Sequence, residues 1–93
     1  MDRIDKKMAK LGYTKTEESQ YIVEYTKTEP QNFEHIVCIH PLRNGCTMQS
    51  YDKKVIKTDN NYINEVCGVE IPVLKLMYKK FKVMSCKYGW KIN

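Results

Sequence analysis

Residues 72–88 place Leu74, Met77, Tyr78, Phe81, Met84 and Tyr88 at the 3.6-residue spacing of a helix, and no other pattern in the chain constrains the fold as much. Pro72 suits the first turn, where its missing N–H has no intrahelical partner to lose. Gly89 is placed to end the helix in a left-handed conformation, with Trp90 folding back as the apolar residue after that cap. A long amphipathic helix needs an apolar surface to lie on, and the rest of the chain must supply it.

Three segments ahead of it read as strands. In residues 20–28, Tyr21, Val23 and Tyr25 alternate with Ile22, Glu24 and Thr26, the pattern of a half-buried strand. Residues 33–40 are apolar on both faces, with Phe33, Val37 and Ile39 on one and Ile36 and Cys38 on the other, which suits a central strand. Asn44-Gly45 is a strong hairpin signal because both residues tolerate positive φ, and residues 47–53 follow as the third strand. Near the start, Asp2 can cap a first helix in which Ile4, Met8 and Leu11 form one stripe and Gly12 ends the turn. Glu17 and Glu18 fall in the connecting loop. Residues 54–64 are polar around Asp59-Asn60-Asn61, and Val55-Ile56 and Tyr62-Ile63 fit either a short strand or a tethered loop. The expected fold is α+β: one domain over residues 1–93, a three-stranded antiparallel sheet with the N- and C-terminal helices on one face (αβββα).

In that arrangement the second sheet face carries Ile36 and Cys38, with Ile22 or Tyr51 nearby. Two solutions are open. The face is exposed and self-associates as a homodimer, or the loop over residues 54–67 folds across it.

Charge is unevenly distributed. The chain carries a net +5, yet residues 72–93 hold six lysines and no Asp or Glu. Lys75, Lys79 and Lys82 lie along one flank of the helical stripe, and Lys80 and Lys87 along the other. A basic helix face is most often simply solvated, but solvated helices usually mix signs to gain i,i+4 pairs, so an all-lysine helix also fits an acidic partner, either nucleic acid or an acidic protein surface. These five lysines are the candidate partner-binding residues.

Catalytic and metal signatures are thin. Cys38, His40, Cys46 and His35 lie around one hairpin but lack the tight Cys-x-x-Cys pair typical of structural zinc sites. Cys38 with either histidine is the one local nucleophile candidate, and no pair of carboxylates stands out for acid–base work. Tyr21 and Tyr25 offer stacking surfaces for bases, but tyrosines alternating on a strand are more often core residues or cross-strand pairs. No apolar run is long enough to span a bilayer, and the opening residues lack a secretion signal, so a cytoplasmic protein with reduced thiols is expected. No cofactor or metal is expected.

The Lys10-Leu11-Gly12-Tyr13 helix end, the strand Tyr21-Ile22-Val23-Glu24-Tyr25, the hairpin and the closing Tyr88-Gly89-Trp90 together resemble the small αβββα proteins encoded by phages and mobile elements of low-GC Gram-positive bacteria. Some proteins of that architecture are anti-CRISPR inhibitors or other counter-defence factors. The resemblance implies a non-enzymatic interaction protein that binds and modulates a host protein or ribonucleoprotein, such as a defence nuclease. The alternative is a basic, sequence-tolerant nucleic-acid binder.

Overall fold

The computed structural model describes residues 2–29, 33–43, 45–54, 64–66 and 68–91. In chain order the elements are α1 (Arg3–Lys10), β1 (Thr14–Ser19), β2 (Ile22–Glu29), β3 (Phe33–Leu42), β4 (Gly45–Lys54), β5 (Asn64–Val66) and α2 (Ile71–Tyr88). The strands form one antiparallel sheet in sequential order. The α+β class and the two terminal helices match the expectation, but the three-stranded sheet does not. β1 and the three-residue β5 extend it on either side. The uncertain segments Val55-Ile56 and Tyr62-Ile63 lie outside the described residues.

β1 is the larger correction. Its sequence, Thr-Lys-Thr-Glu-Glu-Ser, has no apolar residue and no alternation, yet it pairs along β2 as an edge strand. A charged edge is a usual way to discourage further strand addition, and it leaves no hydrophobic signature. The Gln20-Tyr21 turn that joins it to β2 holds neither Gly nor Asn; the Ser19 hydroxyl steadies it by accepting from the Tyr21 N–H at 3.1 Å. The β3–β4 turn also differs by one residue from the Asn-Gly reading. Gly45 pairs with Leu42, so it opens β4, at φ 149°.

Both helices pack on one face, here the inner face. Val23, Tyr25, Val37 and Ile39 meet Met8 of α1 and Val73, Leu76, Met77, Phe81 and Met84 of α2 in a single core. Asp2 caps α1 through its carboxylate, which accepts from the Asp5 N–H at 2.7 Å. Gly89 ends α2 at φ 74°, and Trp90 folds back into the core, its indole Nε1 donating to the Gln20 carbonyl at 2.9 Å. An eight-residue helix such as α1 is marginal alone, so tertiary contacts must hold it.

Those contacts are ionic as well as apolar. Lys80 is only 1% exposed, and its Nζ lies 2.7 Å from Asp2, 3.3 Å from Asp5 and 2.8 Å from Glu18. Lys15 reaches Asp5 at 2.8 Å and Glu18 at 3.1 Å, Lys87 reaches Glu18 at 3.0 Å, and the Tyr25 hydroxyl donates to Asp5. Three ammonium groups thus face three carboxylates. A bulge brings Lys15 and Glu18 to the same place. They are three residues apart, so a regular strand would point them to opposite faces. The register shift between Lys15 and Glu17 turns both inward, opposite Tyr25 and Val23.

The outer face is not the open apolar surface that one expectation allowed. Ile36 and Cys38 are 6% and 1% exposed. The basis for a homodimer through that face is removed. The alternative, coverage by the loop over residues 54–67, concerns a segment mostly outside the described residues.

The charge cluster predicts two measurable behaviours. Replacing Lys80 with Met leaves three neighbouring carboxylates with two ammonium groups, Lys15 and Lys87, to offset them, and urea unfolding should show a loss of about 3 kcal/mol. The second concerns pH. Hydrogen bonding to Lys80 leads the effects that take Glu18 from its ordinary 4.5 down to about 2, against an opposing desolvation. Burial works to raise Asp2 and Asp5, but their ammonium and hydrogen-bond partners win and lower both. Burial likewise works to lower Lys80, and its carboxylates outweigh it, taking the group to about 12. Groups depressed on folding stabilise above their unfolded values and lose that effect as pH falls through the folded ones. Lys80, raised on folding, acts below its ordinary 10.5 and loses its effect as pH climbs toward 12. Chemical denaturation across pH should therefore show a plateau between these limits, falling from pH 4.5 toward 2 and again above 10.5.

Candidate partner-binding groove

The inner face has more length than α2 covers. Beyond the helix, at the β3–β4 turn, lies an apolar groove of about 620 Å³. Leu74, Met77, Tyr78 and Phe81 of α2 form one wall, and Ile39, Leu42, Cys46 and Met48 of the hairpin form the other. Tyr78 and Phe81 stack with centroids 6.3 Å apart. Parts of the walls stand in solvent: Leu42 is 58% and Tyr78 52% exposed. Among the described residues no Asp or Glu lines the groove, and the charged lining residue there is Arg43. The helical spacing sets Lys75 and Lys82 just outside the Leu74/Tyr78 wall, and Lys82 Nζ sits 4.8 Å from the Tyr78 ring centroid.

The five candidate lysines therefore separate into two groups. Lys75, Lys79 and Lys82 are exposed and make no ion pair among the described residues. Lys75 and Lys82 border the groove, and Lys79 lies a further step around the helix. Lys80 is a correction: it is a buried structural cation on the opposite side of α2 and cannot meet a partner. Lys87 is exposed but already engaged with Glu18, which stabilises its charged form. The sequence-level stripe also missed Val73 and Leu76, which are core residues, while Leu74, Tyr78 and Tyr88 point largely outward. The helix is rotated relative to that reading. Lysine is so seldom fully buried that the sequence gives no sign of a core axis passing through Lys80.

Other candidates resolve clearly. Tyr25 is fully buried and Tyr21 lies in a turn, so they form no base-stacking pair. Cys38 and His40 share the outer face, with Sγ 3.3 Å from Nε2, whereas His35 and Cys46 belong to the inner face, so the four do not converge on a metal. Burial chiefly, with the charge of Glu24, pushes the Cys38 thiol up to about 11, the reverse of nucleophile activation. Asp2, Asp5 and Glu18 lie close enough to share a cation, and the Lys80 ammonium is that cation.

The structure also assembles a constellation the sequence did not announce. His35 Nδ1 is 2.7 Å from Asp52 Oδ1, and His35 Nε2 is 3.3 Å from Ser50 Oγ. The three residues lie on β3 and β4, on the inner face, at the end of the sheet away from the groove. A Ser-x-Asp spacing on a strand was its only sequence trace, and the matching histidine becomes visible only through the strand register.

No family model, curated protein or solved structure matches the chain. Among the described residues no helix is long and apolar enough to cross a membrane.

Thiol labelling checks this geometry. Cys86 is exposed, Cys46 half-buried in the groove wall and Cys38 buried. Alkylation mapped by mass spectrometry should proceed in the order Cys86, Cys46, Cys38. From the rise of the Cys38 thiol from 9.0 to about 11 alone, its thiolate fraction near neutral pH should fall roughly 100-fold.

Proposed function

We propose that this chain is an interaction protein that docks an acidic segment of a partner protein, apolar side chains inward, in the groove between α2 and the β3–β4 hairpin. One observation carries the reading: among the described residues, an apolar groove lined by no carboxylate is edged by Arg43, Lys75 and Lys82, cations that make no ion pair there. Apolar walls supply the attraction, and the basic rim selects acidic flanks and steers their approach.

Charge also separates the occupants. Two copies facing one another here would oppose like-charged rims, which disfavours self-association through the groove. Nucleic acid would use the lysines but leave the exposed Leu42 and Leu74 without a role. The partner in this reading is a host protein, or the protein part of a ribonucleoprotein, in the cytoplasm. The free thiols Cys38, Cys46 and Cys86 fit a reducing compartment. The added strands depart from the αβββα order on which the resemblance to phage-encoded proteins rests. We carry from it only the idea of a bound and modulated protein, with a defence nuclease as one example.

The probe is a fluorescent fifteen-residue peptide with Leu and Phe at helical spacing and Glu elsewhere. Fluorescence anisotropy should show saturable binding to the full chain. The triple variant Arg43→Glu, Lys75→Glu, Lys82→Glu should weaken it by about tenfold or more at an unchanged unfolding midpoint. Replacing the peptide's Glu with Lys should abolish binding. Equal affinity for wild type and triple variant contradicts the proposal. Tight, salt-sensitive binding of an oligonucleotide with none of the peptide would favour the nucleic-acid reading.

A further inference from the structure

We propose that Ser50, His35 and Asp52 form a nucleophile–base–carboxylate constellation that hydrolyses small, activated acyl esters. It shares no residue with the groove and does not depend on the reading above.

The strand register builds the arrangement. His35 pairs with Asp52 across β3 and β4, and Val37 pairs with Ser50. Ser50 and Asp52 are two residues apart, so both point to the inner face, separated by about 6.7 Å of strand rise. The imidazole of His35 spans that gap. Its Nδ1 meets Asp52 Oδ1 at 2.7 Å and its Nε2 meets Ser50 Oγ at 3.3 Å. Tyr13 packs edge-on against the ring, with centroids 5.9 Å apart, and restricts its rotation. A carboxylate on Nδ1 selects the tautomer that carries its proton there. Nε2 is then the lone-pair side, and it faces the serine hydroxyl. That is the order of roles a hydrolytic triad needs: carboxylate orients base, base activates nucleophile. Among its partners on described residues, Ser50 can also turn its hydroxyl to the Gly68 carbonyl, at a longer 3.5 Å. All three side chains sit on paired strands, which hold geometry better than loops.

The chemistry is self-contained. Ser50 Oγ attacks the acyl carbon, its proton passes to His35 Nε2, and the ester C–O bond breaks. The leaving alcohol takes that proton. Asp52 offsets the transient imidazolium charge as a positioning residue. Water, deprotonated by His35 Nε2, then attacks the acyl-serine carbon; the bond from that carbon to Ser50 Oγ breaks, Oγ takes the proton back from His35, and the carboxylic acid leaves. His35 and Ser50 are half-buried, which limits the acyl group to a small one. A good leaving group lowers the barrier to collapse of the tetrahedral intermediate, so aryl esters suit this site better than amides.

The test uses the full chain with a fluorophosphonate probe and with p-nitrophenyl acetate. The probe should form one phosphonyl–serine adduct, with loss of fluoride, located at Ser50 by peptide mass spectrometry. Ser50→Ala should abolish the adduct and lower p-nitrophenol release to the background set by water and by exposed groups such as the Cys86 thiol. His35→Ala should slow both by roughly 100-fold, with partial rescue by added imidazole. Asp52→Asn should slow both, and Asp52→Glu should recover part of the loss. Adducts scattered over exposed serines and tyrosines, or Ser50 labelling that His35→Ala leaves unchanged, would overturn the proposal. The adduct map is made on the unaltered chain, so the decision does not require any variant to fold.

Discussion

A single buried ammonium group ties the ends of this chain together. Lys80 enters from the last helix, Asp2 and Asp5 from the first, and Glu18 from an edge strand with no apolar residue of its own. Taking a lysine out of water is costly, and taking the Asp5 and Glu18 carboxylates largely with it would be worse if either were left uncompensated. The cluster is tolerable because each charge has an opposite one within contact distance, and Tyr25 adds a hydroxyl to Asp5. Its directionality does what apolar packing cannot. A hydrophobic β1 could slide against β2, but Lys15 and Glu18 reach their partners in one register only, the bulged one. A buried ionic group acting as a register device is among the better-attested uses of such an expensive arrangement.

The same cluster sorts the surface. By engaging Lys80 and Lys87 it removes the cationic character from one flank of α2 and leaves it on the other, beside the apolar groove. The inner sheet face is thus divided along its length. The middle lies under α2, one end opens as an oily groove with a basic rim, and the other carries the Ser50–His35–Asp52 cluster. The paired charges and the basic rim lie on opposite flanks of the helix they share.

What could be read from the linear chain followed from local chemistry. The Asp2 cap, the Gly89 stop, the return of Trp90 and the long apolar β3 all depend on residues close in sequence, and all are present. What could not be read depended on distant partners. β1 is polar because its inward side chains meet charge, so the alternation rule had nothing to detect. Lys80 resembled its exposed neighbours Lys79 and Lys82, since nothing within a helical turn reveals that Asp2 and Glu18 will converge on it. That misassignment also set the rotation of α2 wrongly, placing Leu74 and Tyr78 inward and overlooking Val73 and Leu76. The triad-like cluster needed the β3–β4 register, which an Asn-Gly turn implies only to within a residue.

The most direct measurement is a carbon-detected NMR titration of the lysine side chains. With burial opposed by Asp2 and Glu18, Lys80 should lose its proton last, near pH 12, and its ammonium hydrogens should exchange with water far more slowly than those of Lys75, Lys79 and Lys82. A Lys80 signal that titrates and exchanges together with those three would mean that the ammonium is solvated. The packing of α1, β1 and α2 described here would then be wrong.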